Sequence, residues 1–276
     1  MEYKHAKVGK FLELDGGLKM HYHERGEGGI PLIFLHGGGQ GSGGWTNWKT
    51  NLDFFADAGY HAIAPDAIGY GLSDKPEDGN FDFDSLMAAL TNFIDKKGFD
   101  NVNLVGNSMG GAMSIRFTQD HPDRVDKLTV MAPGGIGPME RYLAMPAIAM
   151  LKELGQQEGG FTKDKLRTFL EYLTFAPAVV DEELLNERYE VALSQPPKVF
   201  QTLNIVDLRD RLHVLKNKPL LVLWGRDDRA CPVESAMEIM AECDNAKLVV
   251  YSETGHWVQA EQNEDFNRTC LEFLRK

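Results

Sequence analysis

The most constraining feature of this sequence is an alternation of short apolar runs with segments of helical period. The apolar runs predict strands at residues 32–35, 61–65, 101–105, 128–131, 219–224 and 247–251, after a hairpin at residues 11–14 and 18–23. Helical period lies at residues 51–58, 84–97, 109–119 and 263–274, and Asp84 is the expected N-cap of the second of these helices. Strands that alternate with helices usually run parallel with both faces covered, so the pattern predicts an α/β fold with a mostly parallel sheet.

The alternation stops after a glycine-rich break at residues 134–138. From about residue 139 to residue 212 the period is helical throughout, and strands resume only at residues 219–224. A helical segment of this length inside an α/β sheet protein predicts a lid inserted above the sheet. We therefore expect a core formed by residues 1–136 and 213–276, with a lid formed by residues 137–212.

Composition excludes several classes of function. The chain of 276 residues has a formal net charge of −12, which argues against nucleic acid as a partner and against an anionic membrane surface. No run approaches the roughly 18 apolar residues of a membrane span, and the N-terminus has no secretory pattern. Cys231, Cys243 and Cys270 lack C-x-x-C spacing, which argues against a disulfide framework or a zinc site. We expect a soluble cytoplasmic protein.

Residues 105–111, VGNSMGG, contain the pattern G-x-S-x-G between a predicted strand and a predicted helix. This context is typical of a nucleophile elbow, in which the serine is held on a sharp, strained turn. Small neighbours, here Gly106 and Gly110, would let the strand and the helix approach closely. Ser108 is therefore the predicted nucleophile.

A nucleophilic serine needs a base and an acid that orients the base. In folds with this elbow the chain order is serine, acid, histidine. Asp227 and Asp228 follow the predicted strand at residues 219–224, and His256 follows the strand at residues 247–251. Both positions lie just past the carboxyl ends of strands, where the ligand sites of parallel sheets gather.

Residues 34–45, FLHGGGQGSGGW, contain a literal G-x-G-x-x-G at residues 39–44, and Asp66 lies 22 positions after Gly44. By its letters this is a dinucleotide-binding fingerprint. We disfavour that interpretation because Trp45, Asn47 and Trp48 crowd the point where a phosphate-binding helix should begin. It also leaves the serine, aspartate and histidine unexplained.

The same run has a second interpretation, because residues 36–39 spell HGGG. This motif is typical of the loop that gives one N–H group to an oxyanion hole, while the residue after the nucleophile gives the other. We therefore predict Gly38 and Met109 as the two donors. His36 is expected to support the loop by hydrogen bonds to its backbone.

The segments HGGGQGSGGWTNW, GNSMGG, APGGIGP, WGRDDR and GHWVQ resemble the α/β-hydrolase fold, and more narrowly the meta-cleavage product hydrolases of aromatic compound degradation. The resemblance covers nearly the whole chain and implies an eight-stranded sheet with a helical lid. It implies the catalytic triad Ser108, Asp228 and His256, since the family spacing G-x-x-D counted from Gly225 favours Asp228 over Asp227. It also implies that no metal or organic cofactor is needed.

Four further positions match polar groups that surround the substrate in this family: Asn47, Asn107, Arg188 and Trp257. The resemblance places them around the carboxylate and the 2-hydroxyl or oxo end of a dienoate. Without it, Arg188 would be interpreted as a solvated charge on a lid helix. With it, the guanidinium becomes a bidentate clamp for the carboxylate.

The implied reaction is hydrolysis of a carbon–carbon bond in a small-molecule 2-hydroxy-6-oxohexa-2,4-dienoate, giving 2-hydroxypenta-2,4-dienoate and a carboxylic acid. His256 would carry a proton to C5, and C6 would then be attacked by Ser108 or by water that Ser108 and His256 activate. The sequence leaves the acyl-enzyme and gem-diol routes open. The resemblance also implies a homo-oligomer, a dimer or higher.

Two alternatives remain open at this point. One is a carboxylesterase on the same scaffold, and the other is a binding protein built on a hydrolase fold. Haloalkane dehalogenases and epoxide hydrolases are disfavoured, because they use aspartate where Ser108 stands. The choice between alkyl and aryl substrates is also open, since Met145, Ile148, Leu173 and Phe175 would either line the distal pocket or belong to the core.

Overall fold

The computed structural model describes residues 9–276. Its strands are β1 (Lys10–Glu13), β2 (Lys19–Arg25), β3 (Ile30–Leu35), β4 (Tyr60–Pro65), β5 (Val102–Asn107), β6 (Val125–Met131), β7 (Leu220–Gly225) and β8 (Ala246–Tyr251). They form one sheet in the order β1-β2-β4-β3-β5-β6-β7-β8. β2 pairs antiparallel with β1 and with β4, and every other pair of neighbouring strands is parallel, so the predicted eight-stranded, mostly parallel sheet is confirmed.

The helices lie on both sides of this sheet and in the segment between β6 and β7. They are α1 (Gly44–Trp48), α2 (Leu52–Asp57), α3 (Phe83–Lys96), α4 (Met109–Asp120), α5 (Met139–Leu143), α6 (Pro146–Gln156), α7 (Lys163–Leu173), α8 (Glu182–Leu193), α9 (Lys198–Thr202), α10 (Ser235–Glu242), α11 (Val258–Glu261) and α12 (Asn263–Arg275). In the part of the chain that the structure covers, no helix is long and apolar enough to cross a membrane.

The predicted N-cap of α3 is wrong by two residues. The cap is Asp82, whose extended backbone precedes the helix and whose side chain accepts a hydrogen bond from the Ser85 N–H group. The helix therefore already includes the fully buried Phe83, and Asp84 lies in its first turn. There its carboxylate still favours the helix, because it lies near the positive end of the helix dipole.

The sheet has one apolar layer on each face. Alternate residues of β3 show this clearly, because Ile33 and Leu35 join one cluster while Leu32 and Phe34 join the other. The first cluster also contains α3 and α4, and the second contains side chains of α2 and α12. With both faces covered, the open edge at the carboxyl ends of the strands is where a site can form.

Residues 132–219 contain no strand. Five α-helices, α5 to α9, lie between β6 and β7, which agrees with a helical insertion. They have an apolar cluster of their own, and Trp257 of the core packs into it. A 3₁₀ helix, Arg209–Leu215, crosses the expected boundary at residue 212, and its Leu212 and Leu215 pack into the core of the sheet. The division of the chain into core and lid stays a prediction.

Candidate active site

Ser108 lies on the turn between β5 and α4. Its backbone has φ 56° and ψ −116°, a left-handed conformation that costs energy for a residue with a Cβ atom. The end of β6 holds this turn, because the Ser108 N–H group donates to the Met131 carbonyl at 2.9 Å and the Ser108 carbonyl accepts from Gly134 at 3.1 Å. The strained backbone therefore projects the serine beyond the carboxyl edge of the sheet, as a nucleophile elbow requires.

The glycines beside Ser108 are required by close main-chain contacts. A Cβ atom at Gly106 would lie 2.2 Å from the Gly110 carbonyl oxygen, and one at Gly110 would lie 2.1 Å from the Leu35 carbonyl oxygen. Real Cβ atoms do not approach backbone that closely. The expected close approach of strand and helix at the elbow is confirmed.

Asp228 and His256 form a buried pair, with Asp228 Oδ2 2.8 Å from His256 Nδ1. The other carboxylate oxygen, Oδ1, accepts the N–H groups of Ala230 at 2.7 Å and Cys231 at 2.9 Å. Asp227 instead pairs with Arg226 at the surface. Since the carboxylate accepts a hydrogen bond from the Nδ1–H group, the free Nε2 of His256 is the basic nitrogen of the ring.

The pair also sets the basicity of the histidine. Burial by itself would lower the pKa of His256, but the negative charge of Asp228 and its hydrogen bond outweigh burial, so the pKa lies above its ordinary value of 6.5. Asn107, the residue before the serine, donates from Nδ2 to the His256 carbonyl at 3.2 Å. The elbow and the loop that carries His256 are therefore joined directly.

Glu261 is a supporting residue of this loop that the sequence analysis missed. Its carboxylate accepts the N–H groups of Gly255 at 3.0 Å, Trp257 at 3.1 Å and Phe175 at 2.7 Å. Its negative charge also contributes to raising the pKa of His256. No motif points to it, because its partners are backbone groups brought together by the fold.

Cys231 is a second residue whose place in the site the sequence did not reveal. Its buried thiol lies in hydrogen-bonding reach of the Ser108 side chain, and its N–H group holds Asp228. Burial raises the pKa of the thiol well above its ordinary value, with the Asp228 charge acting in the same direction. The thiol therefore stays neutral beside the serine.

His36 orients the peptide group that carries the Gly38 N–H. Its Nδ1 lies 2.8 Å from the Gly37 carbonyl, and its Nε2 accepts the Ala67 N–H at 3.0 Å, so the ring is neutral with its proton on Nδ1. Burial lowers the pKa of His36, in keeping with that neutral form. In a trans peptide the N–H points opposite to the carbonyl, so the Gly38 N–H faces away from the ring. The expected loop support is confirmed.

The structure brings both expected oxyanion donors next to the serine. A Cβ atom at Gly38 would lie 3.1 Å from the Met109 sulfur, and one at Gly37 would lie 3.5 Å from Ser108 Cβ. Met109 is the first residue of α4, and the first N–H groups of a helix have no partner inside the helix. Two backbone donors beside a serine can receive the negative oxygen of a tetrahedral intermediate.

Asp66, the acidic residue of the apparent dinucleotide-binding motif, binds groups of the protein itself. Its Oδ1 accepts the Gly44 N–H at 2.6 Å, while its Oδ2 lies 2.8 Å from both His21 Nδ1 and the Leu72 N–H group. A helix does begin at this point, since α1 starts at Gly44, and the crowding residues Trp45, Asn47 and Trp48 belong to it. The helix has only five residues, and the acid of the motif holds its first amide instead of a ribose.

Arg188 lies in a buried polar group between α8 and the glycine loop. The side chain is 2% exposed, Nη2 donates to Asn47 Oδ1 at 2.7 Å, and Nη1 donates to Ser42 Oγ at 3.1 Å. The guanidinium carbon lies 4.4 Å from the centre of the Trp257 ring. Three of the expected substrate-binding residues are thus brought together, and interpreting Arg188 as a solvated surface charge is wrong.

Two amides at this site carry buried atoms with no hydrogen-bond partner among residues 9–276. They are Nδ2 of Asn47, beside Arg188, and Oδ1 of Asn107, beside the elbow. A buried polar atom without a partner typically costs about 1–3 kcal/mol. One such atom beside a buried guanidinium and another beside the Gly37 position of the glycine loop indicate places for a polar ligand.

The lid side chains expected at a distal pocket divide into different environments. Leu173 is buried in an apolar cluster with Trp257, whereas Phe175 is 41% exposed. Met145 and Ile148 are half-buried. Closer to the nucleophile, Leu203 reaches within 3.3 Å of the Cβ position of Gly38. An aliphatic side chain from the segment between β6 and β7 therefore lies against the expected oxyanion donor Gly38.

The sheet, the elbow and the set of serine, aspartate and histidine define a class of enzyme. A family model described as α/β hydrolase fold matches residues 30–171, and one described as TAP-like protein matches residues 203–276. The chain belongs to the α/β hydrolase family, and within it to the family of 2-hydroxy-6-oxo-dienoate hydrolases that its full-length relatives are named for. It is a hydrolase, and the binding-protein alternative is set aside.

Two of these relatives are hydrolases with related names. The chain is 36% identical to a 2-hydroxy-6-oxononadienedioate/2-hydroxy-6-oxononatrienedioate hydrolase of Burkholderia vietnamiensis, over 94% of this chain and 92% of the relative. It is 35% identical to a 2-hydroxy-6-oxo-6-phenylhexa-2,4-dienoate hydrolase of Comamonas testosteroni, over 98% and 96%. A solved meta-cleavage product hydrolase from Pseudomonas fluorescens is similar with a TM-score of 0.84 and 27% identity, over 98% of each chain.

Proposed function

We propose that this enzyme hydrolyses a carbon–carbon bond of 2-hydroxy-6-oxohexa-2,4-dienoates, giving 2-hydroxypenta-2,4-dienoate and a carboxylic acid. The observation that carries the proposal is the buried guanidinium of Arg188, which donates to Asn47 and lies over the ring of Trp257, the residue after His256. The planar guanidinium offers a carboxylate two parallel donors, and a simple ester has no carboxylate to receive them. The names of the relatives, which act on 2-hydroxy-6-oxo acids, support the same substrate class.

In this proposal the carboxylate end of the substrate lies against Arg188. The guanidinium forms charge-assisted hydrogen bonds with the carboxylate, and the Trp257 ring keeps it in place. Asn47 offers its unpartnered Nδ2 to a carboxylate oxygen, and Asn107 offers Oδ1 to the 2-hydroxyl group. The two buried amide atoms then gain the partners that they lack among the described residues.

The first chemical stage is a tautomerisation. The 2-hydroxyl group loses its proton, and C5 gains one, which leaves ketones at C2 and C6 and a double bond between C3 and C4. His256 is the proton carrier, because its free Nε2 is basic while Asp228 stabilises the protonated ring. The C2 ketone then accepts electrons when the neighbouring carbon–carbon bond breaks.

The second stage is cleavage between C5 and C6. The Ser108 oxygen, or a water activated by Ser108 and His256, adds to C6, and the N–H groups of Gly38 and Met109 receive the oxyanion. As the C6 carbonyl re-forms, the electrons of the C5–C6 bond move to the C2 oxygen, and Arg188 stabilises the dienolate. One water is consumed, with its hydroxyl ending on the acid and its protons shared between the products.

We further propose that residues 137–212 act as a lid and that the enzyme is a cytoplasmic homo-oligomer that needs no metal or organic cofactor. β8 lies at the edge of the sheet with Val250 44% exposed, which supports contact with a second copy. Three free, buried cysteines support a reducing compartment. Light scattering on the purified protein measures its mass in solution and so tests the proposed homo-oligomer. Turnover that is undiminished after treatment with a chelator would support the absence of a required metal.

The decisive experiment offers the purified enzyme yellow dienones that differ only at C6, with p-nitrophenyl acetate as an ester. Rapid bleaching of a dienone, with formation of the matching acid, supports carbon–carbon hydrolysis. Turnover of the ester alone would replace the proposal with a carboxylesterase. The panel also measures whether alkyl or aryl groups are preferred at C6.

Ser108→Ala should lower kcat on the preferred dienone by at least about 10⁴-fold, since the nucleophile or its water-activating hydroxyl is lost. Ser252→Ala, on the exposed turn after β8, is the matched control and should leave kcat unchanged. Binding of the dienone to the Ser108→Ala protein should persist, because the carboxylate site is intact. A variant that kept its activity would remove Ser108 from the reaction.

A further inference from the structure

Gln195 joins the end of the lid helix α8 to two loops of the core. Its Oε1 accepts the Gly41 N–H group at 2.7 Å, and its Nε2 donates to the Gly69 carbonyl at 3.5 Å. The side chain is 8% exposed, so water does not compete freely for these partners. This buried side chain therefore forms its hydrogen bonds with backbone groups of the two loops and not with its own helix.

The same loop also touches the main chain of α8. Gly41 has φ +70°, and a Cβ atom there would lie 2.1 Å from the carbonyl oxygen of Arg188. The Arg188 side chain meanwhile reaches Ser42 Oγ at 3.1 Å and the Gln40 carbonyl at 3.5 Å. The segment 40–42 is therefore held between the helix backbone, the arginine and Gln195.

Both loops that Gln195 contacts lead to Gly38. On one side, the Ser42 N–H donates to the Gly39 carbonyl at 3.1 Å, which closes the turn directly after Gly38. On the other side, Gly69 precedes Tyr70, whose hydroxyl donates to the Gly38 carbonyl at 3.3 Å. One lid side chain thus fixes both supports of the peptide segment that carries the expected oxyanion donor.

We propose that Gln195 is a positioning residue that locks the glycine loop to the lid, so that the oxyanion donor Gly38 and the carboxylate clamp Arg188 are held at a fixed separation. The inference rests on the proposed function, because it assigns one task to each end of the substrate. Gln195 contacts no reacting atom. It acts through the Gly41 amide, whose displacement moves the loop as a whole.

Three variants test this role. Gln195→Leu keeps the volume but removes the acceptor for the Gly41 N–H, and Gln195→Glu keeps an acceptor oxygen at the same reach. Ser194→Ala is the matched control, because Ser194 is the preceding residue and, among residues 9–276, its hydroxyl bonds only to the Val191 carbonyl of its own helix. Thermal unfolding of each variant first establishes that it is folded.

We expect Gln195→Leu to lower kcat by about tenfold on the dienone and also on p-nitrophenyl acetate, because small displacements of catalytic groups cost up to about 10²-fold. KM for each substrate should stay within about twofold. Gln195→Glu should restore kcat to within about threefold of the wild type. Hydrogen exchange of the peptide that covers residues 37–44 should accelerate in Gln195→Leu and not in Ser194→Ala.

Other results would overturn the proposal. If kcat on both substrates matched that of Ser194→Ala, Gln195 would be a structural residue only. If only the dienone were affected, and through KM, Gln195 would act on Arg188 and not on the oxyanion loop. The ester separates this failure from failure of the proposed function, because it needs Ser108 and the oxyanion hole but no carboxylate clamp. A wild-type enzyme inactive on every dienone would contradict the proposed function. The effect of Gln195→Leu on kcat for the ester would still test the role of Gln195.

Discussion

The two ends of the site are built in different ways. At the catalytic end, Ser108, Asp228 and His256 each follow a strand of one sheet, and short hydrogen bonds to nearby backbone hold them. At the carboxylate end, Arg188 from the lid meets Asn47 from the core, residues 141 positions apart in the chain. If the proposed roles hold, the comparison teaches that the chemistry is positioned by backbone at the ends of strands, whereas substrate recognition is assembled from side chains that are distant in the sequence.

This difference has an energetic side. The serine turn is held by main-chain bonds that also belong to the sheet, so disturbing it disturbs the fold. The arginine site is held by side-chain bonds and by a ring contact, which one substitution can remove while the sheet stays intact. Variants at the two ends should therefore separate turnover from binding.

The largest expected effect is at the catalytic end. Asp228→Asn should lower kcat by about 10³–10⁴-fold, because the amide no longer fixes the His256 tautomer or stabilises the protonated ring. The acid limb of kcat/KM should also move to lower pH. Activity requires neutral His256, Asp228 raises its pKa above 6.5, and burial alone lowers it. A pH profile of both proteins measures the shift.

Asp227→Asn is the matched control, because Asp227 has the same chemistry one position away and pairs with Arg226 at the surface. We expect its kcat to change by less than about twofold. Equal losses in the two variants would break the assignment of the acid and with it the view that the strand ends position the chemistry.

An intermediate effect is expected at the carboxylate end. Arg188→Gln should raise KM and the dissociation constant of the dienone by about 10²-fold, since a buried charge partner of the carboxylate is lost. Turnover of p-nitrophenyl acetate should change by less than about threefold, because the ester has no carboxylate. Titration of the dienone into proteins that also carry Ser108→Ala measures binding without turnover.

Arg167→Gln provides the control for a lost lid charge, because Arg167 pairs with Glu182 on the exposed face of the lid. It should leave both substrates unaffected. If Arg188→Gln reduced ester and dienone turnover equally, the two ends of the site would not be separable, and the opening comparison would be wrong.

The smallest effect on turnover is expected at Asp66, which binds the first amide of α1. Asp66→Asn should lower the free energy of unfolding by about 1–3 kcal/mol at neutral pH, since its carboxylate receives bonds from Gly44, Leu72 and His21. We expect kcat to fall by less than about tenfold. Chemical denaturation measures the stability, and Asp78→Asn, at an exposed position with the same charge, is the control.

The pH dependence of this difference has a defined sign. Burial would raise the pKa of Asp66, but the hydrogen bond and charge of His21 outweigh it and hold the pKa below the ordinary 3.8. The stabilisation is therefore complete above that value and is lost as the pH falls through the pKa of the folded protein. Wild type and Asp66→Asn should converge in acid, and a constant difference would contradict the role of the charge.

Local pattern was sufficient to predict the sheet and the elbow. Strand period, the G-x-S-x-G turn and the order of serine, acid and histidine are properties of short segments, and Ser108 lies where they place it. The preference for Asp228 and the importance of Arg188 came from the resemblance. A single arginine on a helix of mixed polarity carries no sign of burial in its own neighbourhood.

The remaining features depend on contacts that no short segment encodes. Gln195 accepts the Gly41 N–H group and Glu261 accepts the Phe175 N–H group, both from loops distant in the sequence, so neither stands in a recognisable motif. The N-cap at Asp82 was missed because Asp84 competes for the same pattern two residues later. The exposure of Phe175 was missed because an apolar residue at the end of a helix fits a pocket and a surface equally well.

The glycine contacts at the elbow have a consequence for changing the enzyme. The main chains at Leu35, Gly106 and Gly110 pack directly against one another with no side chain between them. The position of the nucleophile is therefore set by main-chain packing. A library that varies side chains next to the glycine loop, such as Leu203, can therefore explore new substrates while the Ser108 oxygen stays where it is. One added methyl group at Gly106 or Gly110 would instead displace it, so these two positions limit how far the scaffold can be redesigned.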